Sequence, residues 1–263
     1  MQVLAKLLGE SEGVPAIFEN EEGRGPIVFI CEHASHHIPV SLGALGLSED
    51  VLVSHVAWDP GALQVSRILA AHFDAPLVFQ RYSRLVYDCN RPPESSAAMP
   101  ERSEVYLIPG NENLTDEEKR ARVKEIYQPF HAAVGSLIKD RIAKGLPSAI
   151  VTVHTFTPVY FGQKRDVEIG ILHDTDTRMA DRMLAVAAGA GTFNVRRNEP
   201  YGPSDGVTHT LRLHGLSNGL ENVMIEIRND LVADENGQEV AADYIAGLLS
   251  RAITRLDEEN THT

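Results

Sequence analysis

The stretch PIVFICEHASHH, residues 26–37, holds a short apolar run that ends abruptly in charged and polar side chains. A continuous apolar run of this length, rich in β-branched residues, is typical of a strand buried on both faces of a sheet. Similar runs occur further along the chain, at residues 77–79, 149–153, 167–172 and 223–227. We therefore predict five core strands.

Helical patterns separate these strands. They cover residues 61–73, 115–144, 175–189 and 239–256. Strands that alternate with helices of this length are typical of an α/β domain built on a largely parallel sheet. We predict one domain over residues 1–263, with a leader of short helical pieces at residues 1–25 and the core at residues 26–256. Residues 81–113 lack periodicity, and a loop this long is usually functional or disordered.

The composition limits the partners and the location of the chain. Its formal net charge is −13, and a surface this acidic disfavours binding to nucleic acid and to anionic membranes. No stretch reaches the ~20 apolar residues of a membrane span, and the N-terminus lacks the pattern of a signal peptide. The two cysteines, Cys31 and Cys89, are too few for a disulfide framework. We expect a cytoplasmic protein without nucleic-acid or membrane partners.

Histidines follow two of the predicted strands. His33, His36 and His37 come just after the first strand, and His154 follows the strand at 149–153. Ligands of open α/β sheets bind beyond the carboxyl ends of the strands, and neutral imidazole is the commonest metal-binding side chain. His33 and His154 are therefore predicted metal ligands. The alternative is structural: loop histidines that cap the next helix, and a rim histidine with satisfied hydrogen bonds.

A third ligand is expected in the segment before the helix at 61–73. Asp59, in the sequence Trp58-Asp59-Pro60-Gly61, offers a carboxylate oxygen. A catalytic zinc site commonly has three protein ligands and one position left for water. Aspartate before a helix is also a frequent N-cap, so both interpretations of Asp59 stay open at this point.

A charged pair interrupts the last predicted strand. Glu226 and Arg228 lie two residues apart and so share one face of that strand. A carboxylate within an apolar strand costs free energy unless it is paired or used. Glu226 is either the structural partner of Arg228 or a general base that takes a proton from an attacking water.

Three arginines, Arg81, Arg84 and Arg91, lie close together in an otherwise acidic chain. A guanidinium suits a carboxylate because two parallel N–H donors meet two oxygens. These side chains form either a site for a substrate carboxylate or surface ion pairs with neighbouring acidic residues.

In this order, the segments resemble the N-formylglutamate amidohydrolase family. The resemblance covers roughly residues 26–256 and rests on these motifs: Glu32-His33-Ala34-Ser35 with Ile38-Pro39, Trp58-Asp59, Asp88-Cys89-Asn90-Arg91, His154, and Ile225-Glu226-Ile227-Arg228. The family is distantly similar to zinc carboxypeptidases and aspartoacylase. The resemblance implies a phosphorylase/hydrolase-like α/β fold, a three-layer αβα sandwich with a mostly parallel mixed sheet.

The resemblance also implies roles for individual residues. One divalent metal ion, expected to be Zn²⁺, would lie on His33 and His154. Glu226 would be the general base, and Asn90 and Arg91 would hold the substrate carboxylate.

Other candidates extend this set or depart from the related motif. Carboxypeptidases have His-x-x-Glu where this chain has His33-Ala34-Ser35-His36, so the third metal ligand is expected to be Asp59 or, alternatively, His36. Arg84 and Arg228 are further candidates for the substrate-binding site.

The implied activity is hydrolysis of N-formyl-L-glutamate, or a related N-acyl amino acid, to formate and the free amino acid, a reaction of histidine degradation. Two alternatives stay open: a metal-dependent deacylase or peptidase acting on another carboxylate-bearing amide, and a non-catalytic metal-binding protein. A buried strand carboxylate facing the metal favours an enzyme, because a metal sensor has no need of a base at Glu226.

Overall fold

The computed structural model describes residues 6–260, with side chains up to residue 253. The strands among these residues are β1 (Ala16–Glu19), β2 (Ile27–Cys31), β3 (Leu77–Gln80), β4 (Arg102–Ser103), β5 (Tyr106–Leu107), β6 (Ala149–Phe156), β7 (Val159–Tyr160), β8 (Gln163–Lys164), β9 (Ile169–Leu172), β10 (Val195–Arg197) and β11 (Asn222–Arg228). Seven of them form one sheet in the order β1-β3-β2-β6-β11-β9-β10, and β4–β5 and β7–β8 are separate two-stranded sheets.

Four parallel strands, β3, β2, β6 and β11, form the middle of the large sheet. At one edge β1 pairs antiparallel with β3. At the other edge β9 pairs antiparallel with β11 and parallel with β10. The four middle strands therefore end at the same side of the sheet, which is where ligands of α/β proteins bind.

Helices cover both faces of the sheet. They are α1 (Glu49–Leu52), α2 (Ala62–His72), α3 (Asp116–Arg122), α4 (Gln128–Ala143), α5 (Arg178–Ala187) and α6 (Glu235–Asn260), and one π-helical turn joins α3 to α4. On one face α2, α5 and α6 pack against side chains such as Phe29 and Val153. On the other face α4 and the loop after β3 pack against side chains such as Val28 and Ile150. The predicted three-layer αβα sandwich on a mostly parallel mixed sheet is confirmed.

The predicted strands and helices are present with shifted ends. β6 continues beyond the predicted segment to Phe156, so His154 lies within the strand instead of after it. The pattern at 115–144 corresponds to α3, the π-helical turn and α4, and it begins at the predicted capping box on Thr115. β10 was not predicted, because Val195–Arg197 contains two arginines and no apolar run. No helix among the described residues is long and apolar enough to cross a lipid bilayer.

The N-terminal segment differs from the prediction. The sequence predicts a leader of short helical pieces over residues 1–25, but Ala16–Glu19 form β1, an edge strand paired with β3. A four-residue edge strand with only Ala16 buried lacks the continuous apolar run that identifies a central strand. Residues 1–5 of the predicted leader lie outside the described residues.

The long loop at 81–113 is an ordered part of the structure. It contains β4 and β5, and the Asp88 N–H donates a hydrogen bond of 2.8 Å to the Ala98 carbonyl, which ties the outgoing arm to the returning arm. Tyr82 and Tyr87 are fully buried. The loop therefore contributes to the core while carrying polar residues to the carboxyl side of the sheet.

Candidate metal centre and active site

Three side chains from different elements meet at the carboxyl side of the sheet. His33 follows β2, Asp59 precedes α2, and His154 lies in β6. His33 Nδ1 is 3.1 Å from His154 Nδ1 and 3.2 Å from Asp59 Oδ2, and His154 Nδ1 is 2.9 Å from the same oxygen. Metal–ligand bonds of about 2.0–2.2 Å in tetrahedral geometry place ligand atoms roughly 3.3–3.6 Å apart. This buried His33–Asp59–His154 cluster could therefore bind a metal ion.

Two more carboxylates contact the outer nitrogens of these imidazoles. Asp88 Oδ1 lies 2.7 Å from His33 Nε2, and Glu32 Oε2 lies 3.1 Å from His154 Nε2. Metal-binding histidines almost always donate their second N–H to such a partner, which fixes the tautomer and directs the other nitrogen to the metal. Glu32 and Asp88 belong to the sequence motifs, but these roles were not predicted. The available signal was an acidic residue next to a buried segment in each case.

Asp59 does not cap the helix that follows it. The N-cap of α2 is Gly61, and no side chain caps this end. The Asp59 carboxylate instead accepts hydrogen bonds of 3.3 Å from the Thr155 N–H and from Arg84 Nη1. Its backbone N–H donates to the His33 carbonyl at 2.9 Å, which ties this turn to the His33–Asp59–His154 cluster. Of the two interpretations left open by the sequence, the contacts favour the ligand.

The alternative third ligand, His36, lies outside the cluster. Its ring is exposed and stands edge-on to Trp58, with the ring centroids 5.1 Å apart. The group of side chains close enough to share a metal ion contains Asp59 and does not contain His36.

The carboxylates of Glu32, Asp59 and Asp88 are held in the ionised form. Burial alone would raise the pKa of Glu32, but the charge of His154 outweighs it and lowers that pKa to about 2. Burial opposes ionisation of Asp59 and Asp88 in the same way, yet His33 holds both pKa values well below their usual range.

The two imidazoles experience the same field. Burial would lower the pKa of His33 and of His154, but the neighbouring carboxylates more than compensate, so both pKa values are raised. With both imidazoles neutral, the carboxylates of Glu32, Asp59 and Asp88 and the single guanidinium of Arg84 leave a buried surplus of two negative charges. A site that attracts protons this strongly also attracts a divalent cation, so the donor set fits a metal ion.

Glu226 lies beside the cluster because β11 pairs in parallel with β6, with Glu226 opposite His154. Glu226 is 4% exposed, and its Oε2 atom has no hydrogen-bond partner among the described residues. Burial raises the pKa of this carboxyl group to about 7, although His154 opposes the shift. A buried, unpaired carboxyl group with a pKa near neutrality is suited to accept a proton and return it.

A cavity of about 400 Å³ opens onto the cluster and Glu226. The loop at 81–113 supplies one side of it, including Arg102 of β4. The segment after β6 supplies another, including Tyr160 of β7, and Tyr201 and Met224 complete the lining. The volume lies within the usual range for small-molecule sites, so the cavity is the candidate substrate site.

Two of the predicted substrate-binding arginines line this cavity in different states. Arg84 lies 3.3 Å from Asp59 and 3.1 Å from Asp88, so its charge is already compensated. Arg91 donates from Nη1 to the Asp205 carbonyl at 2.5 Å, and its Nε lies 3.8 Å from Asp88. Arg91 therefore has weaker contacts with carboxylates than Arg84, so more of its charge is available to a substrate.

Asn90 lines the cavity, but its amide is engaged by the protein. Its Nδ2 donates to the Val207 carbonyl at 2.5 Å, and its Oδ1 accepts from the Thr210 N–H at 3.0 Å. Asn90 thus anchors the segment at 207–210 to the long loop. The expected contact between Asn90 and a substrate carboxylate stays a prediction.

Arg228 is not brought to the cavity. It shares a strand face with Glu226 as predicted, but its guanidinium pairs with Asp230 at 2.8 Å and with Glu168 at 3.6 Å. The structure therefore supports neither a substrate contact by Arg228 nor a structural Glu226–Arg228 pair.

Other reactive side chains have structural partners. His55 pairs with Glu104 at 2.9 Å and lines the cavity. His173 contacts Arg197, and His209 contacts the Tyr127 hydroxyl. Cys31 and Cys89 are buried free thiols.

Residues 215–219, GLSNG, have the Gly-x-Ser-x-Gly spacing of a serine-hydrolase nucleophile turn. The geometry differs, because the segment precedes β11 and does not follow a strand. Ser217 is exposed, and its hydroxyl donates to the Leu213 carbonyl. The spacing therefore carries no serine nucleophile here.

The fold and the site together define a protein of the α/β class with a buried histidine–carboxylate centre that could bind a metal ion. The model of the N-formylglutamate amidohydrolase family matches residues 25–233. The chain therefore belongs to that family and is an amidohydrolase.

Two solved structures resemble the chain over nearly its whole length. A gene product of Agrobacterium tumefaciens is 55% identical with a TM-score of 0.94, over 95% of this chain and 99% of that one. The N-formylglutamate amidohydrolase of Ralstonia eutropha JMP134 is 20% identical with a TM-score of 0.64, over 92% of this chain and 98% of that one, a likeness that shows the fold alone. Comparison with curated proteins found no significant match.

Proposed function

We propose that the chain is a metal-dependent amidohydrolase that converts N-formyl-L-glutamate, or a closely related N-acyl amino acid, to formate and the free amino acid. The observation that carries the proposal is Glu226, a buried carboxyl group with an unpaired oxygen beside the His33–Asp59–His154 cluster. Membership of the family supports the choice of a linear amide as substrate.

His33 Nδ1, His154 Nδ1 and Asp59 Oδ2 would hold the metal ion. Two imidazole nitrogens and one carboxylate oxygen suit Zn²⁺, and catalytic zinc sites commonly have three protein ligands of this kind. A divalent ion bound there supplies Lewis-acid chemistry, which lowers the pKa of water and polarises a carbonyl.

Glu226 would carry the proton through the reaction. Its carboxylate removes a proton from the attacking water and later returns one to the amine that leaves. Its burial keeps its pKa high enough for both steps, since a group titrating near the working pH serves as base and as acid.

Arg91 would hold the substrate carboxylate, with Arg84 behind it. A cation is needed at this place, because a chain of net charge −13 repels a dianionic substrate. A carboxylate would replace the long contact between Arg91 and Asp88 with a charge-assisted hydrogen bond.

The cytoplasm and a step of histidine degradation are the proposed setting. Two buried free cysteines and no disulfide among the described residues support a reducing compartment. We also propose that nucleic acids and membranes are not partners, in keeping with the acidic charge.

A panel of amides tests the substrate. Purified, metal-loaded protein is assayed for release of the acyl group from N-formyl-L-glutamate, N-formyl-L-glutamine, N-acetyl-L-glutamate and a γ-glutamyl peptide. The proposal expects formate from N-formyl-L-glutamate at the highest kcat/KM. A preference for a larger acyl group or a peptide, which the cavity of about 400 Å³ can accommodate, would establish the alternative deacylase or peptidase. Release from none of them would contradict the proposed substrate class.

A further inference from the structure

A buried arginine of α3 contacts a buried asparagine near the end of the long loop, and neither lines the cavity. Arg122, in the last turn of α3, is 2% exposed, and Asn111 is 1% exposed. Arg122 Nη1 donates to Asn111 Oδ1 at 2.6 Å and to the Val86 carbonyl at 3.1 Å, and its Nη2 donates to the Gly110 carbonyl at 3.1 Å. We call these two side chains the loop hub.

Asn111 completes the hub from the other side of the loop. Its Nδ2 donates to the carbonyls of Leu85 and Pro100, each at 2.9 Å. The hub therefore binds the outgoing arm of the loop at residues 85–86 and the returning arm at residues 100 and 110. Both arms line the cavity, the first through Arg84, Asp88 and Arg91 and the second through Arg102.

The guanidinium of the hub is costly for the protein to bury. No carboxylate among the described side chains lies within 4.0 Å of Arg122, and burial lowers its pKa to about 10. A buried charge compensated only by carbonyl and amide oxygens costs free energy relative to an apolar side chain. Two residues after Val86, the outgoing arm of the loop reaches Asp88.

We propose that Arg122 and Asn111 are positioning residues for the metal centre: they fix the segment at residues 85–88 so that Asp88 holds His33 Nε2 and presents His33 Nδ1 to the metal. The inference rests on the proposed function only in taking the His33–Asp59–His154 cluster as the metal site. Loss of the hub would leave all three ligands in place but would remove support from the segment that carries Asp88, which orients His33.

The chain contains a matched control. Arg141 of α4 is also 2% exposed and also binds carbonyls, those of Gly23, Gly25 and Pro147, together with the Ser148 hydroxyl. These contacts join the end of α4 to the segments that lead into β2 and β6, so none of them touches the long loop. Arg141→Met removes a buried arginine of the same kind without touching the metal centre.

The experiment compares Arg122→Met, Asn111→Ala and Arg141→Met with the unchanged chain. The dissociation constant of Zn²⁺ is measured by chelator competition on the folded protein, and amide hydrogen exchange is followed in peptides covering residues 83–91. We expect both hub variants to weaken metal binding by about tenfold and to speed exchange in this segment, because outer-shell partners typically contribute 10–100-fold to metal affinity. Arg141→Met should be destabilised while its metal affinity stays within about twofold.

Equal metal affinity in the hub variants and the unchanged chain would overturn the inference, and so would an equal loss in all three variants. If Arg122→Met does not fold, Asn111→Ala still tests the inference through the same two measurements. Neither readout needs a substrate, so a chain that binds metal but hydrolyses no amide would contradict the proposed function alone. A chain that binds no metal would contradict the proposed function and the inference together.

Discussion

His33 has a partner on each ring nitrogen. Nε2 meets the Asp88 carboxylate at 2.7 Å, and Nδ1 faces Asp59 and His154. An imidazole held in this way has its donor and acceptor sides fixed before any ligand arrives, which reduces the reorganisation needed to bind a metal ion. His154 is held less firmly, because its Nε2 lies 3.1 Å from Glu32 Oε2, within ion-pair distance but without a hydrogen bond.

Glu226→Gln separates metal binding from proton transfer. Glutamine keeps the shape of the side chain but cannot accept the proton of the attacking water. We expect metal content to stay normal and kcat to fall about 10²–10⁴-fold, the usual contribution of a general base. Metal analysis and formate release on the same preparation measure both, and near-normal turnover by the metal-loaded variant would show that Glu226 is not the base.

In the metal-free protein, we expect the effect of Glu226→Gln on the unfolding free energy to depend on pH. The folded-state pKa of Glu226 is raised to about 7 from 4.5, so its contribution is fully present below pH 4.5 and is lost as pH rises through 7. Glutamine stays neutral throughout. Glu226→Gln should therefore match the unchanged chain near pH 4.5 and exceed its unfolding free energy by up to about 3 kcal/mol at pH 8. Urea unfolding at both pH values checks this, and a difference independent of pH would contradict it.

Arg91 and Arg228 form a test pair for the substrate carboxylate. Arg91 lines the cavity, whereas Arg228 is paired with Asp230 and Glu168 outside it. Arg91→Ala should raise the KM for N-formyl-L-glutamate roughly tenfold or more, because a charge-assisted hydrogen bond is lost. Arg228→Ala should leave KM within about twofold. The reverse order in steady-state kinetics would place the carboxylate site at Arg228.

At the scale of elements, the turn before α2 shows how the backbone brings a ligand to the cluster. Gly61 has φ +84°, and a Cβ at this position would lie 2.7 Å from the Val232 carbonyl oxygen. Only glycine combines this backbone angle with so close an approach. The turn thereby releases Asp59 from helix capping and directs its carboxylate to the histidines.

Gly61→Ala should therefore be more harmful than a comparable change elsewhere. Gly145 also has positive φ, +65°, but a Cβ added there would meet open space within 4 Å, so Gly145→Ala isolates the backbone cost of about 1–2 kcal/mol. We expect Gly61→Ala to lose clearly more unfolding free energy and to weaken metal binding as well. Urea unfolding and metal competition decide, and equal losses with unchanged metal affinity would argue against this role of the turn.

The elements that the sequence predicts well are those with the strongest local pattern. β2, β6 and β11 are continuous apolar runs because both of their faces are buried, and α3 begins at a capping box that can be read directly. β1 and β10 were missed, because a short edge strand carries no comparable run. The hairpins of β4–β5 and β7–β8 are two residues a side and were missed for the same reason.

At the scale of the whole molecule, the site depends on pairings between distant segments. His33 and His154 could be predicted as ligands because each accompanies the end of a core strand. The roles of Glu32 and Asp88 could not be derived in this way, since they depend on which imidazole each carboxylate meets across the fold. Arg228 shows the converse: strand periodicity gave its face correctly, but its ion pairs draw the guanidinium away from the cavity.

The overall charge gives the site its contrast with the rest of the surface. The chain is strongly acidic, yet three arginines, Arg84, Arg91 and Arg102, line one cavity. The lining also contains five carboxylates, those of Asp59, Asp88, Glu104, Asp205 and Glu226. A divalent ion on the cluster would therefore bring the cavity close to neutral within a negative field, which suits a carboxylate-bearing amide better than the surrounding surface does.

The most direct test of the account is metal removal and reloading. The purified protein is stripped with a chelator, assayed for formate release from N-formyl-L-glutamate, and titrated with Zn²⁺ while bound metal is counted. We predict that stripping lowers turnover at least about a hundredfold and that one ion per chain restores it, since in the proposed mechanism the metal and Glu226 would act on the same water. Full turnover by the stripped protein would contradict the account, as would a loaded protein whose activity does not follow the bound metal.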